Sequence, residues 1–367
     1  MQTEAAIFRK PGEPLAVETV EVDAPWPREV LVRTEGSGVC HSELLHLDGQ
    51  VGDIEPPPLV MGHEGAGTVI AVGADVGGLA PGDHVVACSK AFCGTCEQCL
   101  SGHPNLCLRA GIKNRPRDAP ARITHDGEAI RQFGGVGSHA GLMLLHESTI
   151  VKIDPGIPLD RAAILGCGVL TGLGAVLWTS GLKVGQTVAV FGCGGVGLSA
   201  VQGARIGGAR QIIALDRVPA KLELARTCGA TDVVNVAEAD AVAAIRDLTG
   251  GTGVDHALEM VGSPALIRQA VESLAPRGTA TMVGILPAGA AIELPGSALM
   301  AECRLQTSRM GSTRYRIDIP RYLEFYAQGR LLLDELITAR QRLADVNQAF
   351  AAMRAGTSAR TVLVPSP

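Results

Sequence analysis

The stretch that decides the fold is Thr187-Val-Ala-Val-Phe191, an apolar run that leads directly into Gly192-Cys193-Gly194-Gly195-Val196-Gly197. A strand pattern followed by G-x-G-x-x-G and a helical pattern predicts a loop that binds the pyrophosphate of a dinucleotide. The first glycine permits the tight turn, the second lets the backbone approach the phosphates, and the third lets the helix lie against its strand. The alternative for this motif alone is an ordinary tight turn, since the chain has 46 glycines.

The second half of this fingerprint is an acidic residue about 20 positions further along the chain. Asp216 ends the next apolar run, 211–215, where a carboxylate can accept hydrogen bonds from both ribose hydroxyls. Its charge would repel a 2′-phosphate and therefore favours NAD over NADP, although Arg217 beside it weakens that preference. The alternative role of Asp216 is an N-cap for a helix that begins near residues 219–221.

Strand and helix patterns divide the chain into two halves and a tail. Up to about residue 160, short β-rich segments such as 29–34 and 84–87 are separated by glycine and proline turns. From residue 186 onward, apolar runs alternate with helical stretches, which predicts a parallel sheet covered on both faces. We therefore predict an α/β protein with one domain at residues 1–167, a second at 168–311, and a tail, 312–367, that returns to the first.

Composition excludes several classes of protein. The 367 residues are 46% hydrophobic and 19% charged, as in folded globular chains and unlike disordered or coiled-coil ones. Thirty-two basic against 37 acidic residues give a net charge of −5, so neither nucleic acid nor a membrane surface is an expected partner. The longest apolar stretch, 164–178, is short for a bilayer span and is interrupted by glycines. The N-terminus lacks the pattern of a secretory signal, and we expect a cytoplasmic protein.

Four of the ten cysteines are closely spaced. Cys93, Cys96, Cys99 and Cys107 lie within fifteen residues, the density that tetrahedral zinc binding by four thiolates requires. Four protein ligands leave no open position, so this site, in a lobe at about residues 90–110, is predicted to be structural. A reducing compartment favours metal binding over disulfides, and loss of the metal is expected to unfold the lobe.

Several further motifs occur along the chain. They are Gly38-Val-Cys40-His-Ser42-Glu43, Gly62-His63-Glu64-Gly65-Ala66-Gly67, Leu165-Gly-Cys167-Gly-Val-Leu-Thr171-Gly172 and Ser358-Ala-Arg360-Thr361. Together with the lobe and the glycine loop, in this order, they make the chain resemble the zinc-containing medium-chain alcohol dehydrogenases over essentially its whole length. The resemblance implies a β-rich GroES-like catalytic domain, a Rossmann domain with a doubly wound parallel sheet, two zinc ions per chain and NAD.

The resemblance also implies the residues of a catalytic centre. Cys40, His63 and Cys167 match the protein ligands of a catalytic zinc whose fourth position is open to water or substrate. Glu64 matches a carboxylate near the metal that can approach it transiently. Glu43 matches the residue that accepts a hydrogen bond from the His63 ring, a position at which the family often has the shorter Asp.

A proton path is a further implication. Ser42 matches the hydroxyl that takes the alcohol proton and passes it along the ribose hydroxyls. In the family this relay often ends in a histidine five residues after the first cysteine ligand. That position is Leu45 here and His46 follows it, so either His46 takes the role or the proton leaves through water. We favour water, because one residue along a helix turns the side chain by about 100°.

Contacts to the dinucleotide follow from the same resemblance. His41 and Arg360 match the two positions that contact the pyrophosphate, and surface salt bridges are the alternative for both. The other expected cofactor contacts, beyond the glycine loop and Asp216, are Thr171, Val196, Arg217, Lys221 and Val283.

The substrate channel is predicted in the same way. Ser89, Phe133 and Gly134 match positions along it, and Met310 matches its outer part. Ser89 and Gly134 are small where members with narrow pockets have bulky apolar residues. We therefore expect primary alcohols larger than ethanol, including aromatic or allylic ones, together with the corresponding aldehydes.

Two alternatives stay open. One is a thiol-dependent formaldehyde dehydrogenase of the glutathione or mycothiol type. The glutathione type uses an arginine four residues after the last lobe cysteine, a position that is Gly111 here, although Arg109, Arg115 and Arg117 lie nearby. The other is a non-catalytic dinucleotide- or zinc-binding protein, which the presence of all three catalytic ligands and Ser42 disfavours.

The resemblance also bears on assembly. The segment between Cys107 and Phe133 is long, as in dimeric rather than tetrameric members. We expect a homodimer that pairs the edge strands of the nucleotide-binding sheets near residues 301–308, with a tetramer as the alternative.

Overall fold

The computed structural model describes residues 1–50, 55–116 and 118–365. They form two compact units. The first unit comprises Met1–Cys167, Arg314–Glu324 and Ile337–Pro367, and the second comprises Gly168–Thr313 and Phe325–Leu336.

The tail is divided between the two units, whereas the sequence predicts a return of all of residues 312–367 to the first. The physical reason is a pair of hydrogen bonds in the second unit. Gln202 Nε2 donates to the Leu332 carbonyl oxygen at 3.0 Å, and the Leu332 N–H donates to Gln202 Oε1 at 2.7 Å. Since Gln202 is fully buried, an unpaired amide there would cost about 1–3 kcal/mol. These bonds hold the Leu332 segment in the second unit.

Short strands build most of the first unit. Before Cys167 they are β1 (Gln2–Phe8), β2 (Ala16–Val22), β3 (Glu29–Gly38), β4 (Leu59–Val60), β5 (Glu64–Val72), β6 (His84–Ala87), β7 (Ile123–His125), β8 (Glu128–Gln132), β9 (Leu142–His146) and β10 (Ile150–Lys152). Strands β1, β2, β7, β8 and β4 close a barrel, while β10, β6, β5 and β3 lie side by side in a second sheet. Strand β9 pairs with β3 as well. Apolar side chains from these strands, such as Val32, Val69 and Met143, form a buried core.

The first unit has few helices among its described residues. Before Cys167 the α-helices are α1 (His41–Leu47), α2 (Glu97–Leu100) and α3 (Leu159–Ala163). Helix α1 follows β3 almost directly and buries five of its seven residues, Glu43 to Leu47. Helix α2 lies in the four-cysteine lobe, where Cys96 is its N-cap.

The second unit alternates strands and helices. Its elements are α4 (Gly168–Gly174), β11 (Thr187–Phe191), α5 (Gly195–Ile206), β12 (Gln211–Asp216), α6 (Pro219–Cys228), β13 (Asp232–Asn235), α7 (Ala241–Leu248), β14 (Val254–Glu259), α8 (Pro264–Glu272), β15 (Leu274–Met282) and β16 (Arg304–Thr307). The six strands are all parallel, in the order β13-β12-β11-β14-β15-β16. Every residue of β11 is buried, as in a central strand covered on both faces. The predicted α/β class and doubly wound sheet are confirmed.

Local sequence signals explain where these helices begin and end. Helices α6 and α8 start with a proline, whose missing N–H costs nothing at a first helical position. The C-cap of helix α6 is Gly229, whose φ of 114° would be strained in a residue with a side chain. The Asp240 carboxylate caps α7 by accepting from the Ala243 N–H at 2.8 Å.

The tail completes the second sheet of the first unit. Its elements are α9 (Tyr315–Ala327), β17 (Ala339–Arg342), α10 (Val346–Arg354) and β18 (Thr361–Val364). Strand β18 is parallel to β17 and antiparallel to β3, where Val362 pairs with Gly38. Arg360, immediately before β18, is thereby brought to the end of β3.

No single helix among the described residues is long and apolar enough to cross a membrane. The helical segments Leu159–Gly166 and Gly168–Ser180 pass the length and composition criteria only when they are taken together.

Candidate active site

The ends of β3 and β5 bring two predicted metal ligands together. The register of these antiparallel strands pairs Gly38 with Glu64, so residues that follow β3 lie beside residues that precede β5. Cys40 is buried at the N-cap of α1, and His63, directly before β5, is only 4% exposed. Strand pairing therefore explains why a cysteine and a histidine from separate motifs share one site.

Glu43 fixes the orientation of His63. Its Oε1 atom accepts from the His63 backbone N–H at 3.0 Å and lies 2.7 Å from His63 Nδ1. Because an ionised carboxylate can only accept, Nδ1 carries a proton, which leaves Nε2 as the ring nitrogen that can bind a metal. The predicted hydrogen bond from the His63 ring to Glu43 is confirmed.

Cys167 and Glu64 complete a set of four possible ligands. Cys40, His63, Glu64 and Cys167 offer ligand atoms that all lie within 4.8 Å of one another. Two thiols and one imidazole are donors suited to zinc, and a fourth position without a fixed protein ligand is typical of catalytic sites. The donor set therefore fits a zinc ion. Ser42 Oγ lies 3.3 Å from both Cys40 Sγ and His63 Nε2, so its hydroxyl belongs to the same site.

Burial and neighbouring charges shift the protonation of these groups. A hydrogen bond from Cys167 lowers the pKa of the Cys40 thiol well below its ordinary value, and the His63 charge acts in the same direction. Burial would raise the pKa of Glu43, but the charges of His139 and His63 outweigh it and lower that pKa to about 2. Glu43 is therefore ionised at neutral pH, and the lowered pKa of Cys40 favours its thiolate form, while the hydrogen bond with Cys40 and burial raise the pKa of Cys167. A thiolate is the form of cysteine that binds metal.

Arg360 lies in a buried position beside Glu64. Its Nη2 atom donates to Glu64 Oε2, and its Nη1 atom donates to the Val39 carbonyl oxygen at 3.4 Å. The buried Arg360 Nε–H has no hydrogen-bond partner among the described residues. Burial raises the pKa of Glu64 to about 7 against the opposing charge of Arg360. An unpaired guanidinium donor suits an anion such as pyrophosphate. The ion pair between Arg360 and Glu64 is not predicted from the sequence.

The four lobe cysteines converge, and all four are free thiols. Sγ–Sγ distances are 4.0 Å for Cys93–Cys99, 3.5 Å for Cys96–Cys99 and 3.9 Å for Cys96–Cys107. A disulfide bond would be about 2.05 Å long. A zinc–sulfur bond of about 2.3 Å gives a tetrahedron with sulfurs about 3.8 Å apart. The backbone N–H of Thr95 donates to Cys93 Sγ and lowers the pKa of that thiol to about 6. The lobe therefore fits a structural zinc.

The glycine loop has the shape of a phosphate-binding turn. Gly192 adopts a φ of 98°, and a Cβ on Gly197 would lie 1.8 Å from the Gly192 carbonyl oxygen. Both positions thus require glycine, the first for its conformation and the second for close packing. Nothing lies within 4 Å of a Cβ placed on Gly194, so the backbone is open there. The loop leads into the N-terminus of α5 and fits the pyrophosphate of a dinucleotide.

Asp216 lies at the end of β12 beside this loop. Its Oδ2 atom accepts from the Cys193 N–H at 2.8 Å, and its Oδ1 atom accepts from the Val218 N–H at 3.0 Å. The N-cap of α6 is Val218, so the N-cap alternative for Asp216 is wrong. Each carboxylate oxygen keeps a second lone pair that can accept from a ribose hydroxyl.

Five further residues predicted to contact the dinucleotide are distributed over both units. In the second unit, Val196 lies in the first turn of α5 and Val283 lies directly after β15. Lys221 is half-buried in α6, and Arg217 is exposed. In the first unit, His41 is exposed as the first residue of α1.

The predicted channel residues of the first unit adjoin the metal-ligand set. The Phe133 ring meets the His63 ring edge-on at a centroid distance of 5.5 Å. A Cβ on Gly134 would lie 3.0 Å from Ser89 Cβ and 3.4 Å from His63 Cβ. Phe133 and Gly134 therefore lie beside His63, and Ser89 lies beside Gly134. In the second unit, the Thr171 hydroxyl lies 3.9 Å from Met310 Sδ. These two predicted site residues are therefore in contact with each other.

Two charged residues beside this channel were missed by sequence reasoning. Lys113 Nζ donates to the carbonyl oxygens of Gly134 at 2.6 Å and Ser89 at 3.5 Å. Burial lowers the pKa of Lys113, and the Glu55 carboxylate accepts from the Gly134 N–H at 2.8 Å. Neither residue stands in a motif, and both contacts join distant parts of the chain, so no local signal identifies them.

His46 is enclosed by aromatic rings. Its imidazole is 5% exposed and meets the rings of Phe8 and Phe133 edge-on at 5.0 Å and 5.2 Å. Leu45, which occupies the family's usual relay position, is buried as well.

The arginines near Gly111 bear on the thiol-dependent alternative. The Arg115 side chain is 7% exposed and pairs with Glu29 at 2.6 Å and with Asp23 at 2.6 Å. Arg109 is exposed, and Arg117 lies outside the described residues. Arg115 is therefore already engaged by two carboxylates of the chain itself.

Comparison with known proteins connects this geometry to a family. Residues 26–155 match the alcohol dehydrogenase GroES-like domain, and residues 195–328 match the zinc-binding dehydrogenase family. The S-(hydroxymethyl)glutathione dehydrogenase of Haemophilus influenzae is 37% identical over 372 residues, covering 99% of this chain and 97% of that protein.

Solved structures are similar over the full length of the chain. An alcohol dehydrogenase zinc-binding domain protein from Burkholderia ambifaria has a TM-score of 0.94 and 37% identity, with both chains covered completely. The benzyl alcohol dehydrogenase of Acinetobacter calcoaceticus has a TM-score of 0.93 and 31% identity, again with complete coverage of both chains. The cofactors of the chain are accordingly zinc, at two sites, and NAD. The chain belongs to the zinc-containing medium-chain alcohol dehydrogenases, NAD-dependent oxidoreductases that act on CH–OH donors.

Proposed function

We propose that the chain interconverts bulky primary alcohols and aldehydes, with Cys40, His63 and Cys167 as the protein ligands of the catalytic zinc. The observation that carries the proposal is the set of four ligand atoms within 4.8 Å, with the Ser42 hydroxyl 3.3 Å from two of the residues. When bound, the metal supplies a Lewis acid that acidifies the alcohol, and the dinucleotide supplies the hydride acceptor. Cys93, Cys96, Cys99 and Cys107 hold the second, structural zinc in this proposal.

Ser42 moves the proton. Its Oγ atom is placed to accept the proton that the alcohol releases and to pass it to a ribose hydroxyl of the dinucleotide. The enclosure of His46 between Phe8 and Phe133 supports an exit through water rather than through that imidazole. Glu43 keeps the His63 ring in one tautomer and so leaves Nε2 available to the metal.

The dinucleotide is held mainly by backbone groups. The N–H groups of the glycine loop and of the first turn of α5 bind the pyrophosphate, and Asp216 binds the adenosine ribose. His41 and Arg360 add positive charge for the pyrophosphate, and the unpaired Nε–H of Arg360 supports that role. The negative charge of Asp216 disfavours a 2′-phosphate, which supports NAD as the preferred form.

The substrate is a primary alcohol with a bulky or aromatic group. Ser89 and Gly134 are small residues on the predicted channel, Gly134 lies beside His63, and the Phe133 ring supplies an apolar wall there. A relative of 31% identity named benzyl alcohol dehydrogenase supports an aromatic substrate.

A panel of ethanol, hexanol, benzyl alcohol and cinnamyl alcohol tests this proposal. We expect kcat/KM for benzyl alcohol to exceed that for ethanol by roughly tenfold or more, because each apolar group that fits a pocket contributes about 1–3 kcal/mol. The Ser89→Phe variant should lose the aromatic preference and keep ethanol turnover, while Ser89→Ala should keep both. The highest kcat/KM for methanol or ethanol would contradict the proposal.

S-(Hydroxymethyl)glutathione is the second candidate substrate, since relatives with 36–37% identity carry that name. Gly111 stands where the glutathione type has its arginine, and Arg115 is engaged by Glu29 and Asp23, so of the described arginines nearby only the exposed Arg109 is left for the glutathione carboxylate. NADH formation from formaldehyde with and without glutathione separates the two candidates. Turnover that requires glutathione would establish the second candidate, and equal rates in both samples would remove it.

Membership of an enzyme family leaves no support for a non-catalytic protein.

The proposed assembly is a homodimer. Strand β16 is the last strand of the parallel sheet and pairs only with β15 among the described strands. Its other edge can pair with the same strand of a second copy across a two-fold axis. Sedimentation equilibrium should give a mass of two chains, and a mass of four would contradict this assembly without bearing on the chemistry.

A further inference from the structure

A buried row of polar side chains extends from Glu43 away from the metal-ligand set. Glu43 Oε2 lies 3.1 Å from His139 Nε2, and His139 Nδ1 lies 2.7 Å from Ser37 Oγ. The hydroxyl oxygens of Ser37 and Ser138 are 2.7 Å apart. All four side chains have 0% exposure. A polar row this deep is stable only when each member has its hydrogen bonds.

The carboxylate of Glu43 is fully occupied. Its Oε1 atom accepts from the backbone N–H and the ring of His63, and its Oε2 atom accepts from the Cys40 N–H at 3.1 Å and from His139 Nε2. Four hydrogen bonds match the four lone-pair directions of a carboxylate. Rotation of the carboxylate would break bonds on both oxygens. His139 is thus one of the groups that fix the carboxylate to which the His63 ring is bound.

The length of Glu43 makes this arrangement possible. An aspartate, common at this position in the family, is shorter by one C–C bond of about 1.5 Å. Withdrawn by that distance, the carboxylate could not keep its contacts with both His63 and His139. The hydrogen bond between Glu43 and His139 therefore requires a glutamate at position 43 and a histidine at position 139.

The surroundings of His139 leave little room for movement. Gly62, directly before His63, has a φ of 96°, and a Cβ there would lie 2.4 Å from His139 N and 2.7 Å from His139 Nδ1. The Phe350 ring meets the His139 ring edge-on at 6.1 Å. The absence of a side chain at Gly62 thus lets the His139 imidazole pack directly against the backbone of the His63 motif.

We propose that His139 is a positioning residue that acts through Glu43 on His63 and thereby sets the zinc affinity of the catalytic site. The inference rests on the proposed assignment of that zinc to Cys40, His63 and Cys167. Without the His139 donor, Glu43 Oε2 loses one of two buried partners, and the carboxylate can rotate away from His63 Nδ1. Loss of an outer hydrogen-bond partner at a zinc ligand costs roughly 10- to 100-fold in metal affinity or activity.

Two substitutions of similar size separate hydrogen bonding from packing. His139→Gln keeps an amide N–H close to the Nε2 position, and His139→Met fills the space without a donor. The readouts are zinc affinity at the catalytic site, from competition with a chelator, and the visible spectrum of the full-length chain with Co²⁺ in that site. We expect His139→Met to weaken zinc binding roughly 10- to 100-fold and to shift the Co²⁺ bands. His139→Gln should match the wild type in both, and the lobe zinc should be unchanged throughout.

Ser37→Ala provides a third, milder variant in case the methionine variant does not fold. It removes the partner of His139 Nδ1 and should weaken zinc binding at the same site in the same direction. Wild-type affinity and spectrum in His139→Met, or in Ser37→Ala where His139→Met does not fold, would overturn the inference even if the melting temperature fell. Equal losses in the glutamine and methionine variants would overturn it as well, since packing would then explain both. A wild-type chain with only the lobe zinc would instead contradict the proposed function, and the inference with it.

Discussion

Ser42 and Glu43 are adjacent in the sequence and serve different groups of the same site. Ser42 Oγ lies 3.3 Å from Cys40 Sγ and His63 Nε2, on the side where a metal and an alcohol would bind. Glu43 is fully buried and holds the opposite nitrogen of the same ring, Nδ1. A helix turns by about 100° per residue, so neighbours in α1 face different environments. Substitution of Ser42 should therefore affect proton transfer, whereas substitution of Glu43 should affect the metal.

The first prediction concerns Ser42. Ser42→Ala should lower kcat by roughly 10²- to 10⁴-fold, the usual contribution of a positioned proton acceptor. Zinc content should stay at two per chain, because the hydroxyl is not among the proposed ligands. Ser42→Thr keeps the hydroxyl and serves as the control. Steady-state kinetics and metal analysis on the same samples test this, and wild-type turnover by the alanine variant would refute the proton path.

The second prediction concerns the choice of cofactor. Asp216→Asn keeps an oxygen acceptor for Cys193 or Val218 and removes the charge. A hydrogen bond to a charged group contributes about 1.5–3 kcal/mol, so kcat/KM for NAD should fall roughly 10- to 100-fold while that for NADP changes little or rises. Arg217→Gln, beside it, should increase the preference for NAD. An unchanged ratio of NAD to NADP efficiency in the asparagine variant would contradict the ribose role.

At the scale of elements, local sequence patterns predict some features completely and others poorly. Strand β11, the glycine loop and α5 follow from a buried apolar run and three glycines, because both turn and packing depend on neighbouring residues. The four-cysteine lobe follows from spacing for the same reason. Lys113 and His139 could not be predicted, since their partners lie far away in sequence and their types carry no periodic signal.

The third prediction concerns the lobe. Cys99→Ser should remove one zinc per chain and unfold residues around 93–107, because a Cys₄ site supplies the folding energy of such a small segment. Limited proteolysis should then cleave the lobe, and the melting temperature should fall. Cys303→Ser, at a half-buried cysteine outside both ligand sets, is the matched control. Two zincs and intact protease resistance in Cys99→Ser would contradict a structural zinc at this site.

At the scale of the whole molecule, the sequence predicts two domains of the right class but not how the tail is divided. Apolar and helical patterns identify the tail elements, whereas the hydrogen bonds between Gln202 and Leu332 that hold the Leu332 segment in the second unit have no sequence signal. The same is true of the ion pairs of Arg115, which join residues more than 80 positions apart in the first unit. Such long-range polar contacts contribute to stability, and local sequence patterns do not predict them.

The fourth prediction concerns this ion-pair cluster and its dependence on pH. Burial opposes ionisation of Glu29, yet hydrogen bonds from Arg115 outweigh it and lower its pKa below the ordinary value of 4.5. A lowered pKa in the folded state means that the stabilisation is present above pH of about 4.5 and is lost as the pH falls through the folded-state pKa. Arg115→Met should therefore reduce the free energy of unfolding by about 3–5 kcal/mol at pH 7 and by less in acid.

A matched control for this prediction is Arg33→Met, which removes an exposed ion pair with Glu35. Exposed pairs contribute about 0–1 kcal/mol, so this variant should remain close to the wild type at every pH. Denaturant unfolding at several pH values measures both variants. A loss in Arg115→Met that does not vary with pH would show that the side chain contributes through packing and not through its charge.

The central claim is that one chain holds a catalytic zinc and a structural zinc at separate sites, and that only the first is needed for hydride transfer. Metal analysis of the wild type and of Cys40→Ala, beside NADH formation from benzyl alcohol, tests it most directly. The account predicts two zincs in the wild type and one in Cys40→Ala, with the fold retained and activity lost. Alcohol turnover near the wild-type rate in Cys40→Ala would contradict it.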